Sequence, residues 1–271
     1  GPAYQLWAAR VIGRSFAATG RIDQKLMREQ EHYLFQTPEL SEHSDPALQS
    51  KTSILQLLFS KLQVQNYTET GLIERTLQVI ISHISDTDDF QAYVDIIPKT
   101  LMPALVWTPY SSPQLPLPSA ELELCDLGLE DAAECASRTL WARNVALSLS
   151  SAAPHDPIIS PLRAVLYTIP GLAVQVLPYI IHEVLLSEDH GEGPLRQAIS
   201  TLFKNILGKV TENTMPHARL VINCILYLRN QRIPDESTIV DRDKWLEIDY
   251  GQASSAARQC GLQKTALLFL E

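Results

Sequence analysis

The chain has little glycine and little phenylalanine. Eleven glycines and six phenylalanines in 271 residues leave few positions for tight turns and aromatic strand cores. No Asn-Gly or Asp-Gly pair lies between alternating apolar runs, so no β-hairpin is indicated. With 45% apolar and 20% charged residues, the composition is that of a globular protein. These shortages favour helices over sheets.

The signatures of catalytic and metal sites are also missing. The seven histidines are scattered, without an HExxH pair or a zinc-ligand spacing, and there is no GxSxG elbow. Gly191–Pro194 lacks the third glycine and the lysine of a phosphate loop and is interpreted as a turn. His182 lies in an apolar run, which indicates a core histidine. We therefore predict no catalytic, cofactor-binding or metal-binding residue within this chain.

A short acidic segment superficially resembles the acid-base loop of kinases. Asp241-Arg242-Asp243 lacks the neighbouring histidine and the downstream asparagine of such a loop. Acidic residues favour the N-terminus of a helix. We interpret the segment as the start of a helix that contains Trp245.

The four cysteines form no CxxC pair, and each lies in an apolar or helical context. This pattern predicts reduced, buried residues of a cytosolic or nuclear protein instead of disulfides or metal ligands. They are Cys125, Cys135, Cys224 and Cys260.

The net charge of -9 argues against a protein that simply coats DNA, since backbone binding needs clustered cations. One basic strip near the start of the sequence contains a single acidic residue, Asp23. A solvated helix face and a contact with nucleic acid or an acidic partner both stay open, and direct DNA contact is undecided. The strip consists of Arg10, Arg14, Arg21, Lys25 and Arg28.

The one candidate for a membrane segment is Ala164–Ile181, which carries no charge. A membrane-spanning helix needs about 20 apolar residues with few interruptions. The break at Ile169-Pro170-Gly171 favours two shorter buried helices, so we predict no membrane segment.

Apolar residues recur at helical spacing along the chain, most clearly at Ile73, Leu77, Ile80, Ile81 and Ile84. Ser160 followed by Pro161 predicts a helix start, as does Gly193-Pro194. The other predicted helices cover Tyr4–Thr19 with Gly20 as its cap, Leu55–Leu62, Ala132–Leu149, Leu172–Leu186 as a central helix, Leu220–Leu228, and a helix-turn-helix from Trp245 to Leu270.

Many helices joined by short turns predict an all-α chain, an α-solenoid of degenerate HEAT-like or TPR-like helical pairs. A compact helical bundle is the alternative. Gly1-Pro2 is the scar of tag removal. Helical pairs are expected over residues 3–108 and 121–271, separated by a proline-rich loop at 109–120. That loop is a surface connection or, through Pro113 and Pro116, a docking site.

The last predicted helix carries an apolar face with no capping glycine or polar closing turn. An exposed apolar patch favours association. We therefore expect the sequence to be a piece of a larger protein. The face consists of Leu262, Ala266, Leu267, Phe269 and Leu270.

Three stretches resemble one family. They are Leu177–Leu186 (LPYIIHEVLL), Tyr227–Arg229 with Gln231-Arg232, and Trp245–Tyr250 (WLEIDY) followed by Ala253, Ala257, Cys260, Thr265–Leu268 and Glu271. Together they resemble the ataxia-telangiectasia-mutated (ATM) type of checkpoint kinase, of the phosphatidylinositol-3-kinase-related protein kinases, and especially its fungal telomere-maintenance counterparts. In the first half, Trp7–Arg14 resembles the fungal members less specifically.

The resemblance implies a nuclear serine/threonine kinase that responds to DNA double-strand breaks, supports telomeres, and uses ATP and Mg²⁺. It implies that this segment lies where the solenoid meets the FAT region, with the downstream FAT and kinase regions, a second copy of the parent and a break-sensor complex as partners. No kinase motif of the family occurs here. The function we expect is a non-catalytic scaffold that positions the kinase, and the alternative is a stand-alone adaptor that binds peptides or proteins.

Overall fold

A computed structural model of the chain describes residues 46–62, 67–85, 87–97, 105, 137–188, 193–231 and 245–270. Within these ranges ten helices have defined bounds and no residue lies in a strand. They are α1 (Pro46–Lys61), α2 (Tyr67–Ile84), α3 (Phe90–Ile96), α4 (Arg138–Ala152), α5 (Leu162–Thr168), α6 (Pro170–Ser187), α7 (Pro194–Gly208), α8 (Met215–Arg229), α9 (Tyr250–Gln259) and α10 (Gln263–Leu268).

Several sequence predictions lie outside the described residues. They include the helix at Tyr4–Thr19, the basic strip, the proline-rich loop at 109–120, Asp241–Asp243, and the cysteines at 125 and 135. The division into groups on either side of 109–120 therefore stays a prediction.

The chain forms two compact units. The first unit comprises residues 1–117 and 155–169 and contains α1, α2, α3 and α5. The second unit comprises residues 118–154 and 170–271 and contains α4 and α6 to α10.

The first unit is built on the apolar stripes of α1 and α2. The predicted stripe of α2 is confirmed, since each of its five members is at most 3% exposed. α2 packs against α1 and α5, and α3 packs against α1. The facing residues of α1 include Ile54, Leu55 and Leu58, each fully buried. Burial of these aliphatic side chains stabilises the unit, and buried polar side chains such as Gln56 and Glu74 lie in the same two helices.

α5 begins without the predicted serine cap. Pro161 precedes the helix, and Ser160 makes no side-chain cap. The preceding turns are instead held by Asp156, whose Oδ1 accepts hydrogen bonds from the backbone N–H groups of Ile158 and Ile159 at 2.9 and 2.8 Å. The other carboxylate oxygen lies 3.0 Å from Lys51 Nζ of α1. An aspartate side chain is short enough to accept hydrogen bonds from backbone N–H groups that lie two or three residues further along the chain.

α6 is the central helix of the second unit, as predicted. It packs against α4, α7 and α8. As expected, α5 ends at Thr168 and α6 begins at Pro170. By length and composition alone α6 could cross a membrane, but more than half of it is buried within the chain, and buried core helices of soluble proteins pass the same test. Its buried apolar residues include Leu172, Val176, Leu177, Ile180, Ile181 and Val184.

α7 begins at Pro194, as predicted, and its first turn has an unforeseen cap. The two Glu188 carboxylate oxygens accept hydrogen bonds from the N–H groups of Leu195 and Arg196 at 2.8 and 3.0 Å. An anionic side chain is favourable at a helix N-terminus. A Cβ on Gly193 would lie 1.6 Å from Glu188 Cδ, so this cap requires glycine at residue 193.

α9 and α10 form a tight helical hairpin. Gly261 has φ of +74°, a left-handed conformation that favours glycine, and the N–H of Leu262 donates to the Ala257 carbonyl at 2.8 Å. Ser254 Oγ donates to the Ala266 carbonyl at 2.8 Å. The buried face of α9 is made of small residues, which allows close packing: Ala253, Ser254, Ala256 and Ala257.

Candidate functional site

The cysteine, histidine and carboxylate side chains of the described residues are the ones that could cluster around a metal ion. No group of three or more His, Cys, Asp or Glu side chains among them could hold a metal ion. Cys224 and Cys260 are free and buried, as predicted, and burial raises the pKa of both thiols. A thiol with a raised pKa is a poor nucleophile. The candidate site is therefore one of packing and coupling, centred on His182.

His182 lies at the middle of an aromatic cluster in the second unit. Its side chain on α6 is fully buried. The ring meets Trp245 edge-on at 4.7 Å between centroids and Tyr227 of α8 at 6.1 Å. Tyr179, one turn before His182 on α6, meets Tyr227 edge-on at 4.9 Å. These T-shaped pairs each stabilise by about 0.5–1.5 kcal/mol beyond burial of area.

The imidazole at the centre of the cluster is neutral. Burial lowers the pKa of His182 to about 4, so the imidazole is uncharged at neutral pH. Glu183 Oε1 lies 4.0 Å from His182 Nδ1. Burial also raises the pKa of the Tyr179 hydroxyl. The prediction that His182 is a core histidine is confirmed.

A segment that we call the strap, residues 245–252, runs along one face of α7. Arg196 Nε donates to the Trp245 carbonyl at 3.0 Å. The N–H of Glu247 donates to Ser200 Oγ at 3.1 Å, and Gln252 Nε2 donates to the Lys204 carbonyl at 3.1 Å. The three α7 positions are four residues apart and so lie on one helix face. The strap is fastened to that face along two turns.

The prediction of a helix at Trp245 was wrong. Residues 245–249 are not helical, and α9 begins only at Tyr250. Backbone groups that a helix would pair internally are taken by side chains of α7, and Asp249 Oδ1 caps α9 by accepting from the Gly251 N–H at 2.8 Å. Trp245 Nε1 donates to the Gln231 carbonyl at 3.2 Å, just after α8. Tertiary hydrogen bonds thus override local helical propensity.

The three stretches that carry the family resemblance meet at this cluster. Leu177–Leu186 supplies Tyr179 and His182, the α8 stretch supplies Tyr227, and the last stretch supplies Trp245. Sequence reasoning treated them separately and did not bring them together. The sequence feature that the three stretches share is an aromatic or imidazole ring in each.

The other end of α8 has a similar contact. His217, in the first turn of α8, meets Trp141 of α4 edge-on at 5.6 Å between centroids. Burial and then the charge of Arg138 lower the pKa of His217, while the Asn213 carbonyl opposes that shift. α8 is therefore held by rings at both ends.

Two arginines of α8 hold the α9–α10 hairpin. Arg219 donates from Nε and Nη2 to the Cys260 carbonyl at 3.2 and 2.7 Å. Arg229 Nη1 donates to the Leu268 carbonyl, and its guanidinium lies 5.8 Å from the centre of the Tyr250 ring. Cations stabilise the exposed carbonyls at a helix C-terminus.

The predicted apolar face of the last helix divides in two. Ala266 and Phe269 are 3% exposed, and Phe269 stacks on Tyr250 at 5.8 Å. Leu267 and Leu270 are 64% and 67% exposed. The outer half of the face therefore has no cover within the described part of the chain.

Comparison with known proteins identifies the family. Residues 1–207 match the family model of the Tel1 pincer domain, a HEAT-type region. The chain belongs to the Tel1 pincer family. Across its whole length it is 50% identical to the serine/threonine-protein kinase tel1 of Emericella nidulans, of which it spans 10%. The pincer chain therefore covers about a tenth of the kinases it matches.

Solved structures agree along the entire pincer chain. It superimposes on the FAT and kinase domain of CtTel1 with a TM-score of 0.69 at 29% identity, covering 18% of that chain. It superimposes on the complete CtTel1 dimer with C2 symmetry with a TM-score of 0.67 at 30% identity, covering 10% of that chain. The resemblance to fungal ATM-type kinases and the prediction of an all-α, HEAT-like solenoid segment are confirmed.

The residues present do not fit the ATP and Mg²⁺ of a kinase. The described ranges hold no metal-ligand cluster, and the sequence has no glycine-rich phosphate loop. No step of phosphoryl transfer is assigned to this pincer chain.

Proposed function

We propose that this chain is a non-catalytic scaffold segment of a large serine/threonine protein kinase that acts in the nucleus, in the double-strand-break checkpoint and in telomere maintenance. The observation that carries the proposal is the match along the whole chain to a kinase of which the chain is only a tenth. The phosphoryl transfer, with ATP and Mg²⁺, belongs to the remaining nine-tenths.

The scaffold acts by holding neighbouring regions in place. Stacked helices transmit position because packed interiors deform little. The FAT and kinase regions are the first partners, which is supported by the alignment of the whole chain within the FAT and kinase domain of CtTel1. A second copy of the parent is the next partner, supported by the C2 dimer. The nuclear location and the break-sensor complex rest on the family resemblance.

The test compares the purified chain with the parent kinase that contains it. Both are incubated with ATP, Mg²⁺ and a peptide in which serine precedes glutamine. The parent phosphorylates the peptide, and the chain alone leaves it unmodified. Phosphorylation by the chain alone would contradict the proposal.

A second arm tests the scaffold role in the parent. Phe203 is fully buried in α7. Phe203→Ala in the parent should lower phosphorylation while the parent still binds ATP with unchanged affinity. Lys264→Ala, an exposed change on α10, serves as control. Full activity of the Phe203 variant would instead favour the adaptor interpretation, with peptide binding as its next measurement.

A further inference from the structure

The family match ends at residue 207, one residue before the end of α7. α8, α9 and α10 lie beyond the match, yet they belong to the same compact unit as α4, α6 and α7. Whether residue 207 marks a hinge depends on the contacts that cross it.

The strap supplies the first set of crossing contacts. It joins residues beyond the match to α7 through Arg196, Ser200 and Lys204. Ser200 is only 2% exposed, so the hydroxyl that accepts from the exposed Glu247 is itself buried. A buried hydrogen-bonding group that loses its partner is costly. Opening the strap would therefore disturb α7 itself.

Trp245 supplies the second set. Its indole contacts His182 of α6, and its Nε1 donates to the Gln231 carbonyl after α8. Its carbonyl accepts from Arg196 of α7. One residue thus links α6 and α7, inside the match, to the end of α8, outside it.

The ring contacts at the two ends of α8 supply the third set. His217 meets Trp141 of α4, and Tyr227 meets Tyr179 and His182 of α6. The helix is fixed at both ends to helices inside the match, so it cannot pivot about either end without breaking a ring contact.

We propose that Trp245 is an anchor that couples α8–α10 to α6 and α7, so that both sides of residue 207 open and unfold as one body and the boundary is not a hinge. The inference goes beyond the proposed scaffold role and concerns the chain alone. It holds or fails whatever the parent kinase does.

Hydrogen–deuterium exchange of the whole chain tests the proposal, with the exchange rate measured in peptides from each helix. Trp245→Ala should lower protection about 10- to 100-fold, in line with truncation of a large, partly buried aromatic. The loss should be equal in α6–α7 and in α9–α10, because both depend on one opening reaction. α1 and α2 of the first unit should not change.

A milder variant and a control accompany it. Trp245→Phe keeps a ring against His182 but removes the Nε1 donor, and should give a loss of about 5-fold with the same regional pattern. Lys264→Ala, an exposed change on α10, should leave exchange unchanged. Faster exchange in α9–α10 with unchanged α6–α7, in either Trp245 variant, would overturn the proposal and make residue 207 a hinge.

Discussion

The two compact units are stabilised by different kinds of contact. The described core of the first unit combines aliphatic side chains, such as Ile54, Leu58 and Leu77, with buried polar ones, such as Gln56 and Glu74. The second unit adds rings and directional bonds that join residues 39 to 49 positions apart, such as those from Arg229 and Arg196. Aliphatic burial stabilises many similar packings, whereas directional bonds select one. The long-range bonds described for the second unit therefore help to fix the positions of its helices.

The largest expected losses of stability come from one core substitution in each unit. Phe203→Ala in α7 should cost about 4 kcal/mol, and Leu77→Ala in α2 should cost about 3 kcal/mol, because each leaves a cavity where a fully buried side chain was. Regional hydrogen exchange under native conditions would show each loss in its own unit. Equal losses in both units from either change would mean that the two cores unfold together.

The next expected effect is a dependence of the second unit's stability on pH. The pKa of His182 is about 4 in the folded chain and about 6.5 when unfolded. Below pH 6.5 the unfolded chain takes up a proton that the folded chain does not, so stability falls as the pH drops to about 4. One group with this shift contributes about 3 kcal/mol, which is fully present above pH 6.5.

The measurement is the urea midpoint of the second unit between pH 7 and pH 4. His182→Phe keeps a ring between Trp245 and Tyr227 but cannot titrate, so its midpoint should fall less steeply over the same range. An identical pH dependence in that variant would show that another group is responsible.

The Asp156 turn in the first unit gives a smaller effect. Asp156→Ala removes two hydrogen bonds and should cost about 1–2 kcal/mol. Lys51→Met removes the ion pair at 3.0 Å but keeps both Asp156 hydrogen bonds, and should cost less than about 1 kcal/mol. Chemical denaturation of both variants checks the order, and a larger loss from the lysine change would reverse the assignment.

The smallest effect is a coupling at the start of α7. Gly193→Ala displaces the Glu188 carboxylate and loses the cap, at a cost of about 1 kcal/mol. In a Glu188→Ala background the same change should cost nothing, because there is no cap left to lose. A double-mutant cycle measures the coupling, and simple additivity would show that the two residues act independently.

Much of this fold could be predicted from local patterns. The stripe of α2 and the glycine-proline start of α7 follow from spacing and backbone preference, and both lie where expected. The helix expected at Trp245 failed because its backbone groups are satisfied by Arg196 and Ser200, about 48 residues earlier. Local propensity contains no information about partners that distant.

The candidate site was harder to predict than the fold. His182 was expected in the core, but its ring partners come from three stretches that only the tertiary structure unites. In the first half only Trp7–Arg14 gave a resemblance, and a less specific one, although the family match covers residues 1–207. An extended aliphatic repeat spreads its family signal over many positions, and no short motif concentrates it.

Leu267 of α10 and Leu270, two residues beyond its end, form an exposed apolar patch. Two molecules that bury Leu267 and Leu270 against each other would be stabilised by association. That stabilisation would increase with the protein concentration. Melting temperatures taken at a single dilution would therefore mix folding with association. A dilution series, extrapolated to zero protein, separates the two.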